Sequence, residues 1–315
     1  MTVDCPPTLA DCREAGAWLS LAAKLQRYLP RGKGFVPRLM GRLLNRRDCR
    51  FLTTRNGAKL VLSTNSLDVY ATMRLNGNSW DYWDFLICLR SLVDGYTFYD
   101  IGANVGYFTI EMAHVTKGSV RVVGFEPQTP LVNAINASIQ LNEMKNVSVV
   151  HVLVGDESRM AEVFLSKSSI HASAVTDSGR NATHSTPQRM VAIDDLVSKG
   201  EIPPPDFIKL DVEGSEHLVI RGAMQTLLSA RPNVFLEYIP EDDTNGRVRQ
   251  EVESLVSRAG CYDLYGSPRK SDPEYKDRAR QGILFRIQND DDWKRVDGVY
   301  LRNRQRKVRD ESMFL

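Results

Sequence analysis

The stretch that decides the fold is Tyr99-Asp100-Ile101-Gly102-Ala103-Asn104-Val105-Gly106-Tyr107-Phe108. It follows an apolar run and opens an amphipathic one, so it predicts a β-strand that turns tightly into an α-helix. Gly102 and Gly106 allow the backbone to pass close to a ligand, and the first turn of a helix presents N–H groups that have no partner within the helix. The turn is therefore a candidate ligand-binding loop.

Glu126 closes the next apolar run, Val120 to Phe125. A β-turn-α-β unit that ends in a carboxylate is typical of adenosine sites, where the carboxylate binds the ribose hydroxyls. The glycine spacing is Gly-x-x-x-Gly instead of the dinucleotide pattern Gly-x-Gly-x-x-Gly, and Asp100 lies inside the turn. Asp100 would repel a pyrophosphate but attract the ammonium and sulfonium groups of S-adenosylmethionine. The turn thus favours S-adenosylmethionine over a dinucleotide, with an ordinary surface β–α turn still open as the alternative at this point.

The composition is that of an ordinary globular protein, with 315 residues, of which 42% are hydrophobic and 25% are charged. The formal net charge of +2 is too small to indicate nucleic-acid binding. The five cysteines form no C-x-x-C pair and are odd in number, so neither a zinc site nor a disulfide framework is expected. No signal-peptide pattern and no apolar run of membrane-spanning length is present, which predicts a cytoplasmic location.

Three parts are predicted along the chain: a basic helical extension with a hairpin at 1–64, an α/β domain at 65–290 and a basic tail at 291–315. Within the domain, strand-like runs alternate with helical ones, which is typical of a mostly parallel sheet with helices on both faces. Asn56-Gly57 marks the turn of the hairpin. The seven predicted strands are 96–100, 120–126, 147–154, 207–211, 233–238, 261–266 and 281–287.

An excursion separates the third predicted strand from the fourth. Its segments Ala161–Leu165 and Ala172–Val175 are expected to pair as short strands. Residues 166–188 are rich in Ser and Thr, which predicts a loop and a candidate lid.

Acidic residues recur at the predicted strand ends. The carboxyl ends of parallel strands meet at one edge of a sheet, where open α/β folds bind their ligands. An acidic rim there suits a cationic cofactor and would also allow a divalent metal such as Mg²⁺, although carboxylates that merely cap helices are an alternative. The residues concerned are Asp100, Glu126, Asp156, Asp211, Glu213 and Glu237.

Lys209 stands in the middle of the fourth predicted strand, Phe207-Ile208-Lys209-Leu210-Asp211. Strand alternation places Lys209 on the same face as Asp211. A lysine in a buried strand requires a charged partner. Glu237, at the end of the next strand, is the expected partner.

The series Asp-Ile-Gly-Ala-Asn-Val-Gly-Tyr-Phe-Thr, Gly-Phe-Glu-Pro and Ile-Lys-Leu-Asp-Val-Glu-Gly-Ser-Glu resembles the FkbM family of S-adenosylmethionine-dependent methyltransferases. The resemblance covers roughly residues 65–265 and implies a class I, Rossmann-like methyltransferase fold. It also implies O-methylation of a hydroxyl on a sugar, glycan or natural product. By position, Asp100, Gly102, Asn104 and Gly106 would surround the methionine part of the cofactor, Glu126 the ribose and Asp156 the adenine amino group.

Methyl transfer to a hydroxyl needs an aligned acceptor oxygen and a base that takes its proton. Asp211 and Glu237 are the first candidates for that base or for metal ligands, and His217, just after the fourth strand, is a further candidate base. The expected acceptor is a small molecule or a carbohydrate, and the sequence does not predict an oligomeric state. A Rossmann-type nucleotide-sugar or dinucleotide-binding enzyme is the alternative function.

Residues 24–50 carry nine basic side chains against one acidic residue, Asp48. Such a segment fits a solvated helical face, a peripheral contact with an anionic membrane surface or lipid-linked glycan, or nucleic-acid binding. Nucleic acid is the least supported of the three, because base-methylating enzymes carry Asn-Pro-Pro-Tyr where this chain has Asp211-Val212-Glu213-Gly214.

Overall fold

A computed structural model describes residues 12–15, 19–21, 23–24, 50–63, 67–79, 81–166, 172–173, 182–269 and 283–314. Most of the basic segment 24–50 lies outside these residues, as do parts of the predicted lid. Cys12, just before the first strand, is disulfide-bonded, contrary to the expectation of no disulfide framework.

The N-terminal part forms a small three-stranded sheet. Its strands are β1 (Arg13–Glu14), β2 (Arg50–Thr53) and β3 (Lys59–Val61). Strands β2 and β3 pair antiparallel around Asn56-Gly57, where Gly57 has a φ of +99°. The predicted hairpin is therefore confirmed. Two helices follow: α1 (Leu67–Leu75) and α2 (Tyr82–Ser91).

The first half of the central domain alternates strand and helix as predicted. Its elements are β4 (Thr97–Ile101), α3 (Tyr107–Val115), β5 (Arg121–Phe125), α4 (Thr129–Leu141) and β6 (Val147–Val150). Every residue of β4 is buried, which is expected of a central parallel strand covered on both faces.

A second, four-stranded sheet interrupts the alternation. It contains β7 (Leu153–Val154), β8 (Arg159–Ser166), β9 (Ala172–Ser173) and β10 (Ala182–Val191), in the order β7-β10-β8-β9. The predicted pairing of the two short segments is confirmed, because Phe164 pairs with Ser173. Two expectations are wrong. Residues 182–188 belong to β10 instead of a loop. The predicted single strand 147–154 is interrupted after β6, so that β6 lies in the central sheet and β7 in the four-stranded sheet.

The second half of the domain returns to the central sheet. Its elements are α5 (Ile193–Ser198), β11 (Phe207–Leu210), α6 (Glu216–Gly222), α7 (Met224–Ser229), β12 (Asn233–Glu237), α8 (Arg247–Ala259), β13 (Tyr262–Pro268), β14 (Phe285–Arg286), α9 (Asp290–Trp293) and β15 (Val296–Asn303). Helix α8 shows why these segments are helical: Val248, Val252 and Leu255 recur at helical spacing and are buried, and Gly260 ends the helix in the left-handed region.

The central sheet has the order β14-β13-β15-β12-β11-β4-β5-β6. Strands β6, β5, β4, β11 and β12 are parallel neighbours, and β15 pairs antiparallel with both β12 and β13. Chain order reverses between β4 and β11, which is the position where open α/β sheets bind ligands. The predicted α/β, Rossmann-like fold with a mostly parallel sheet is confirmed.

The described residues give this sheet eight strands instead of the predicted seven. The additional strand is β15, which lies inside the segment 291–315 that was expected to be a basic tail. Its apolar residues Val299, Tyr300 and Leu301 are buried, whereas the basic residues around them are neutralised by ion pairs. These pairs join Arg302 to Glu311, Arg304 to Asp263 and Arg306 to Asp206.

Apolar side chains cover both faces of the sheet. Alternate residues of β11 separate to opposite sides: Phe207 packs in one hydrophobic cluster and Ile208 in the other. Lys209 shares the face of Phe207, and its ammonium lies 4.8 Å from the centre of the Phe108 ring. Lys209 thus lies on the same face of the sheet as the apolar side chains that cover it.

Candidate active site

An open cleft of about 500 Å³ lies at the carboxyl ends of β4, β5 and β11. The cleft is lined by Ile101, Gly102 and Asn104 and by the segments 125–128, 152–154 and 211–213. Four of the predicted site residues therefore meet at one place: Gly102, Asn104, Glu126 and Asp211.

Gly102 is required by a close backbone approach. Its φ is +84°, and a Cβ atom there would stand 1.8 Å from the carbonyl oxygen of Asp211. The N–H groups of Gly102 and Ala103 both donate to the Phe125 carbonyl oxygen, at 3.1 and 2.9 Å. Those two amides thus hold the turn to β5 and are not directed at a ligand.

Glu126 is fixed by two backbone amides. The Asn104 N–H donates to its Oε2 and the Gln128 N–H to its Oε1, each at 2.9 Å. Glu126 is only 3% exposed, and this burial raises the pKa of its carboxyl to about 7. The two amides orient a carboxylate whose remaining lone pairs can accept hydrogen bonds from vicinal hydroxyls.

Gly106 and Asp100 support the turn without lining the cleft. Gly106 has a φ of +82°, and a Cβ atom there would lie 2.7 Å from Ile135 Cγ1, so this glycine allows α3 to pack against α4. Asp100 is fully buried, and its Oδ2 accepts a hydrogen bond from Thr109 Oγ1 at 2.6 Å. Neither residue is among those that line the cleft, and the place of both around the cofactor stays a prediction.

Lys209 is buried between two aspartates. Its Nζ lies 3.0 Å from Asp211 Oδ2 and 3.5 Å from Asp100 Oδ1. Burial by itself would lower the pKa of this lysine, but the charges of Asp211 and Asp100 outweigh that effect and raise it above its usual value. The predicted shared face of Lys209 and Asp211 is confirmed.

The expected pairing of Lys209 with Glu237 is wrong. The register of β11 with β12 sets Lys209 opposite Phe235 and Leu210 opposite Leu236, so the next position pairs Asp211 with Glu237. On the other side, the register with β4 sets Lys209 opposite Asp100.

The carboxyl groups of Asp211 and Glu237 are hydrogen-bonded to each other. The charge of Asp211 is the main cause that raises the pKa of Glu237 to about 10, followed by burial and by this hydrogen bond. Glu213 and Asp81 raise the pKa further. The neighbouring Asp211 charge thus favours the protonated form of Glu237.

The turn after β11 is stabilised by Glu216, a residue without a predicted role. Glu216 Oε1 accepts from the backbone N–H groups of Val212 and Gly214, at 3.2 and 3.1 Å. These bonds stabilise a turn in which Glu213 has a φ of +56°. Burial raises the pKa of Glu216 to about 7. A glutamate a few residues after a Gly-containing turn is the signal that could have indicated this role.

Asp156 and His217 do not line the cleft. Asp156 follows β7, which belongs to the four-stranded sheet, and the approach to the adenine that the resemblance implies stays a prediction. His217 is buried in the first turn of α6. Burial is the main cause that lowers the pKa of His217, followed by the charges of Arg221 in α6 and Arg247 in α8. The charged groups around His217 therefore come from these helices and not from the cleft.

The described residues contain no group of three or more His, Cys, Asp or Glu side chains arranged to hold a metal ion. Among the same residues, no helix combines the length and the apolar character needed to cross a bilayer.

A family model described as the methyltransferase FkbM domain matches residues 100–259, which include the glycine turn, Glu126, Lys209, Asp211 and Glu237. The chain belongs to the FkbM methyltransferase family. The predicted resemblance is thereby confirmed, and the alternative of a dinucleotide-binding enzyme loses its support.

Among curated proteins, the chain is similar to the hexuronic acid methyltransferase AglP of Haloferax volcanii. The two are 26% identical over 137 residues, which are 42% of this chain and 51% of AglP, so the match spans about half of that relative.

Among solved structures, the chain is similar to the FkbM methyltransferase of Methylobacillus flagellatus KT, with a TM-score of 0.45, 17% identity, and 76% of this chain and 54% of that chain covered. It is also similar to a precorrin-6y C5,15-methyltransferase of Geobacter metallireducens GS-15, with a TM-score of 0.37, 13% identity, and 70% and 84% covered.

Proposed function

We propose that the protein is an S-adenosylmethionine-dependent O-methyltransferase that acts on a hydroxyl group of a sugar, glycan or natural product. The observation that carries this proposal is that Glu126 and Asp211 line one cleft at the carboxyl ends of β5 and β11, the two parallel strands that flank β4. In this proposal Glu126 binds the ribose and Asp211 receives the proton of the acceptor. Membership of the FkbM family supports methyl transfer as the reaction.

The residues present fit the cofactor. Glu126 offers hydrogen-bond acceptors to the two ribose hydroxyls, and its Asn104 and Gln128 partners keep it in place. The close contact of Gly102 with Asp211 brings the turn and the end of β11 together at the cleft. Carboxylates on this rim attract a cationic ligand. When bound, S-adenosylmethionine supplies a methyl group already activated by its sulfonium.

Asp211 is the proposed base. It lines the cleft and lies 3.0 Å from Lys209, and its charge raises the pKa of the neighbouring Glu237. The acceptor oxygen gives its proton to the Asp211 carboxylate as it takes the methyl group. A positioned base of this kind contributes roughly 10²–10⁴-fold to the rate.

A sugar acceptor is supported by the similarity to AglP, whose name states methylation of a hexuronic acid. The identity is low and covers half of that protein, so the sugar class is part of the proposal. A peripheral membrane contact through residues 24–50 and a cytoplasmic location remain predictions from the sequence.

Two measurements test the proposed function. Isothermal titration should show micromolar binding of S-adenosylhomocysteine and no binding of NAD. Transfer of labelled methyl from S-adenosylmethionine should then be measured on a panel of hexoses, hexuronic acids and their glycosides. Binding of NAD alone would contradict the cofactor assignment, and cofactor binding without transfer to any sugar would contradict the acceptor class.

A divalent metal is tested in the same transfer assay. Loss of transfer on addition of EDTA, with recovery on addition of Mg²⁺, would support a metal bound by Asp211 and Glu237. Unchanged transfer would contradict the metal and favour direct proton transfer to Asp211.

A further inference from the structure

The aromatic residues at the start of α2 have no part in the proposed cofactor binding or proton transfer. Tyr82 and Trp83 are both partly exposed, and their rings meet edge to face with centroids 5.4 Å apart. Tyr82 packs against the hydrophobic cluster that contains Phe85, whereas Trp83 belongs to neither cluster of the described residues. Trp83 therefore has a large apolar surface that the core does not use.

A series of ring contacts connects these residues to the site. Tyr82 stacks on Phe85 with centroids 6.2 Å apart, and Phe85 meets Phe108 at 6.1 Å. The centre of the Phe108 ring lies 4.8 Å from Lys209 Nζ, which is 3.0 Å from Asp211 Oδ2. The start of α2 therefore packs beside the residues that hold the proposed base.

Asp81, just before α2, indicates on which side of the site these rings lie. The pKa of Glu237 is raised mainly by the charge of Asp211, and the charge of Asp81 also contributes, so Asp81 is near the end of β12. Strand β12 lies on one side of β11, whereas β5, which is followed by Glu126, lies on the other side beyond β4. The proposed cofactor contact and the start of α2 are thus on opposite sides of Asp211, and an in-line transfer requires that donor and acceptor approach in this way.

The N-terminal hairpin holds the start of α2 in place. The guanidinium carbon of Arg55 lies 4.1 Å from the centre of the Tyr82 ring, and the Arg55 N–H donates to the Asn78 carbonyl oxygen at 3.0 Å. Asn78 Nδ2 donates in turn to the Thr53 carbonyl oxygen at 2.8 Å. Asn78 and Asp81 have φ values of +63° and +39°, which residues other than glycine keep only where their surroundings enforce them. The hairpin therefore fixes the orientation of the two rings.

Residues of these types suit a sugar ring. The apolar C–H face of a pyranose can stack on an aromatic ring, whose face carries partial negative charge. A carboxylate accepts hydrogen bonds from the hydroxyls at the edge of the sugar and a guanidinium donates to them, and Asp81 and the exposed Arg55 supply one of each. Arg55, Asp81, Tyr82 and Trp83 all precede residue 100, where the match to the FkbM family model begins. They are therefore outside the segment that the family model describes.

We propose that Tyr82 and Trp83, flanked by Asp81 and Arg55, form the subsite that stacks on a sugar ring of the acceptor. The inference rests on the proposed function for the class of acceptor, and it adds which residues recognise that acceptor. Methylation of a sugar that is independent of Trp83 would refute this subsite alone. Absence of both sugar binding and sugar methylation would contradict the proposed acceptor class as well.

The first test measures binding without catalysis. The four tryptophans of the chain are replaced by 5-fluorotryptophan, and W83F identifies the ¹⁹F resonance of Trp83. The panel of hexoses, hexuronic acids and their glycosides is then titrated into the protein with S-adenosylhomocysteine bound. At least one sugar should shift the Trp83 resonance in a saturable way and leave that of Trp293 unchanged, because Trp293 is buried against Tyr238. Sugar binding that leaves the Trp83 resonance unmoved, or no binding by any sugar of the panel, would overturn the proposal.

The second test separates acceptor binding from the rate of transfer. W83L should raise the KM for the methylated sugar on the order of 10-fold, whereas kcat and the affinity for S-adenosylhomocysteine should stay within about twofold of the wild type. W83F, which keeps an aromatic ring, should retain most of the sugar affinity. Y96L is the matched control, because Tyr96 is also partly exposed and lies 5.7 Å from an arginine, Arg306, but precedes β4 at the opposite edge of the sheet. An unchanged KM in folded W83L, or an equal rise in Y96L, would overturn the proposal.

Discussion

A Cβ atom added to Gly102 would stand 1.8 Å from the carbonyl oxygen of Asp211. This contact joins the turn after β4 to the end of β11, and so it brings the proposed cofactor-binding segment and the proposed catalytic segment side by side. Backbone atoms on both sides leave no flexible side chain that could yield. The relation between these two residues is the basis of the first prediction.

G102A should unfold more easily than the wild type by about 2–4 kcal/mol, because the substitution adds overpacking to left-handed strain. G118A separates the two causes, since Gly118 has a φ of +85° but no atom within 4 Å of its built Cβ. That variant should lose only about 1–2 kcal/mol. Urea unfolding measures both, and equal losses would show that the contact with Asp211 is unimportant.

E126Q should weaken S-adenosylhomocysteine binding by about 10- to 100-fold, the value of a hydrogen bond to a charged group. Because the pKa of Glu126 is raised to about 7, its ionised fraction falls as the pH drops from 8 to 6. Wild-type affinity should fall with it, and E126Q should lack this dependence. Calorimetry at three pH values measures the effect, with E201Q on the surface as control. Identical pH profiles of the wild type and E126Q would refute the role of Glu126.

D211N and E237Q should differ sharply in methyl transfer. Asparagine cannot take the acceptor proton, so D211N should lower kcat by roughly 10²–10⁴-fold while S-adenosylhomocysteine binding stays within a few-fold of the wild type. Glutamine resembles the protonated form of Glu237 that the Asp211 charge favours, so E237Q should retain most of the rate. The reverse order of the two rates would identify Glu237 as the base.

Glu216 should make stability depend on pH. Its folded pKa of about 7 lies above that of an unfolded glutamate, so its contribution is complete below about pH 4.5 and is lost as the pH rises through 7. E216Q should therefore match the wild type at pH 4.5 and exceed its free energy of unfolding by up to about 3 kcal/mol at pH 8. Denaturant titrations at both pH values measure this difference. A pH-independent difference would show that ionisation of Glu216 is not its cause.

Local pattern was sufficient to predict the turn from β4 into α3, the carboxylate at Glu126 and the common face of Lys209 and Asp211. Each of these depends on glycine spacing or on strand alternation within a few residues. The partner of Glu237 could not be predicted in this way, because it depends on the register between β11 and β12. If the register between the two strands shifts by two positions, the side chains keep the same face of the sheet, but the neighbour of Glu237 becomes Asp211 instead of Lys209.

Two other differences also have physical causes outside the local sequence. The place of Asp156 depends on whether the chain stays in the central sheet after β6, and it instead enters the sheet that contains β10. Strand β15 is obscured in the sequence because basic residues follow its apolar core closely. Their acidic partners, Asp263, Asp206 and Glu311, come from three separate parts of the chain.

The position of β15 constrains the order in which the protein can assemble. It pairs with β12 on one side and β13 on the other, although both of those strands precede it in the chain. During synthesis, one edge of β12 therefore has no hydrogen-bonded neighbour until residues 296–303 have been made. A chain interrupted before that point would leave two unpaired strand edges and would be prone to aggregate.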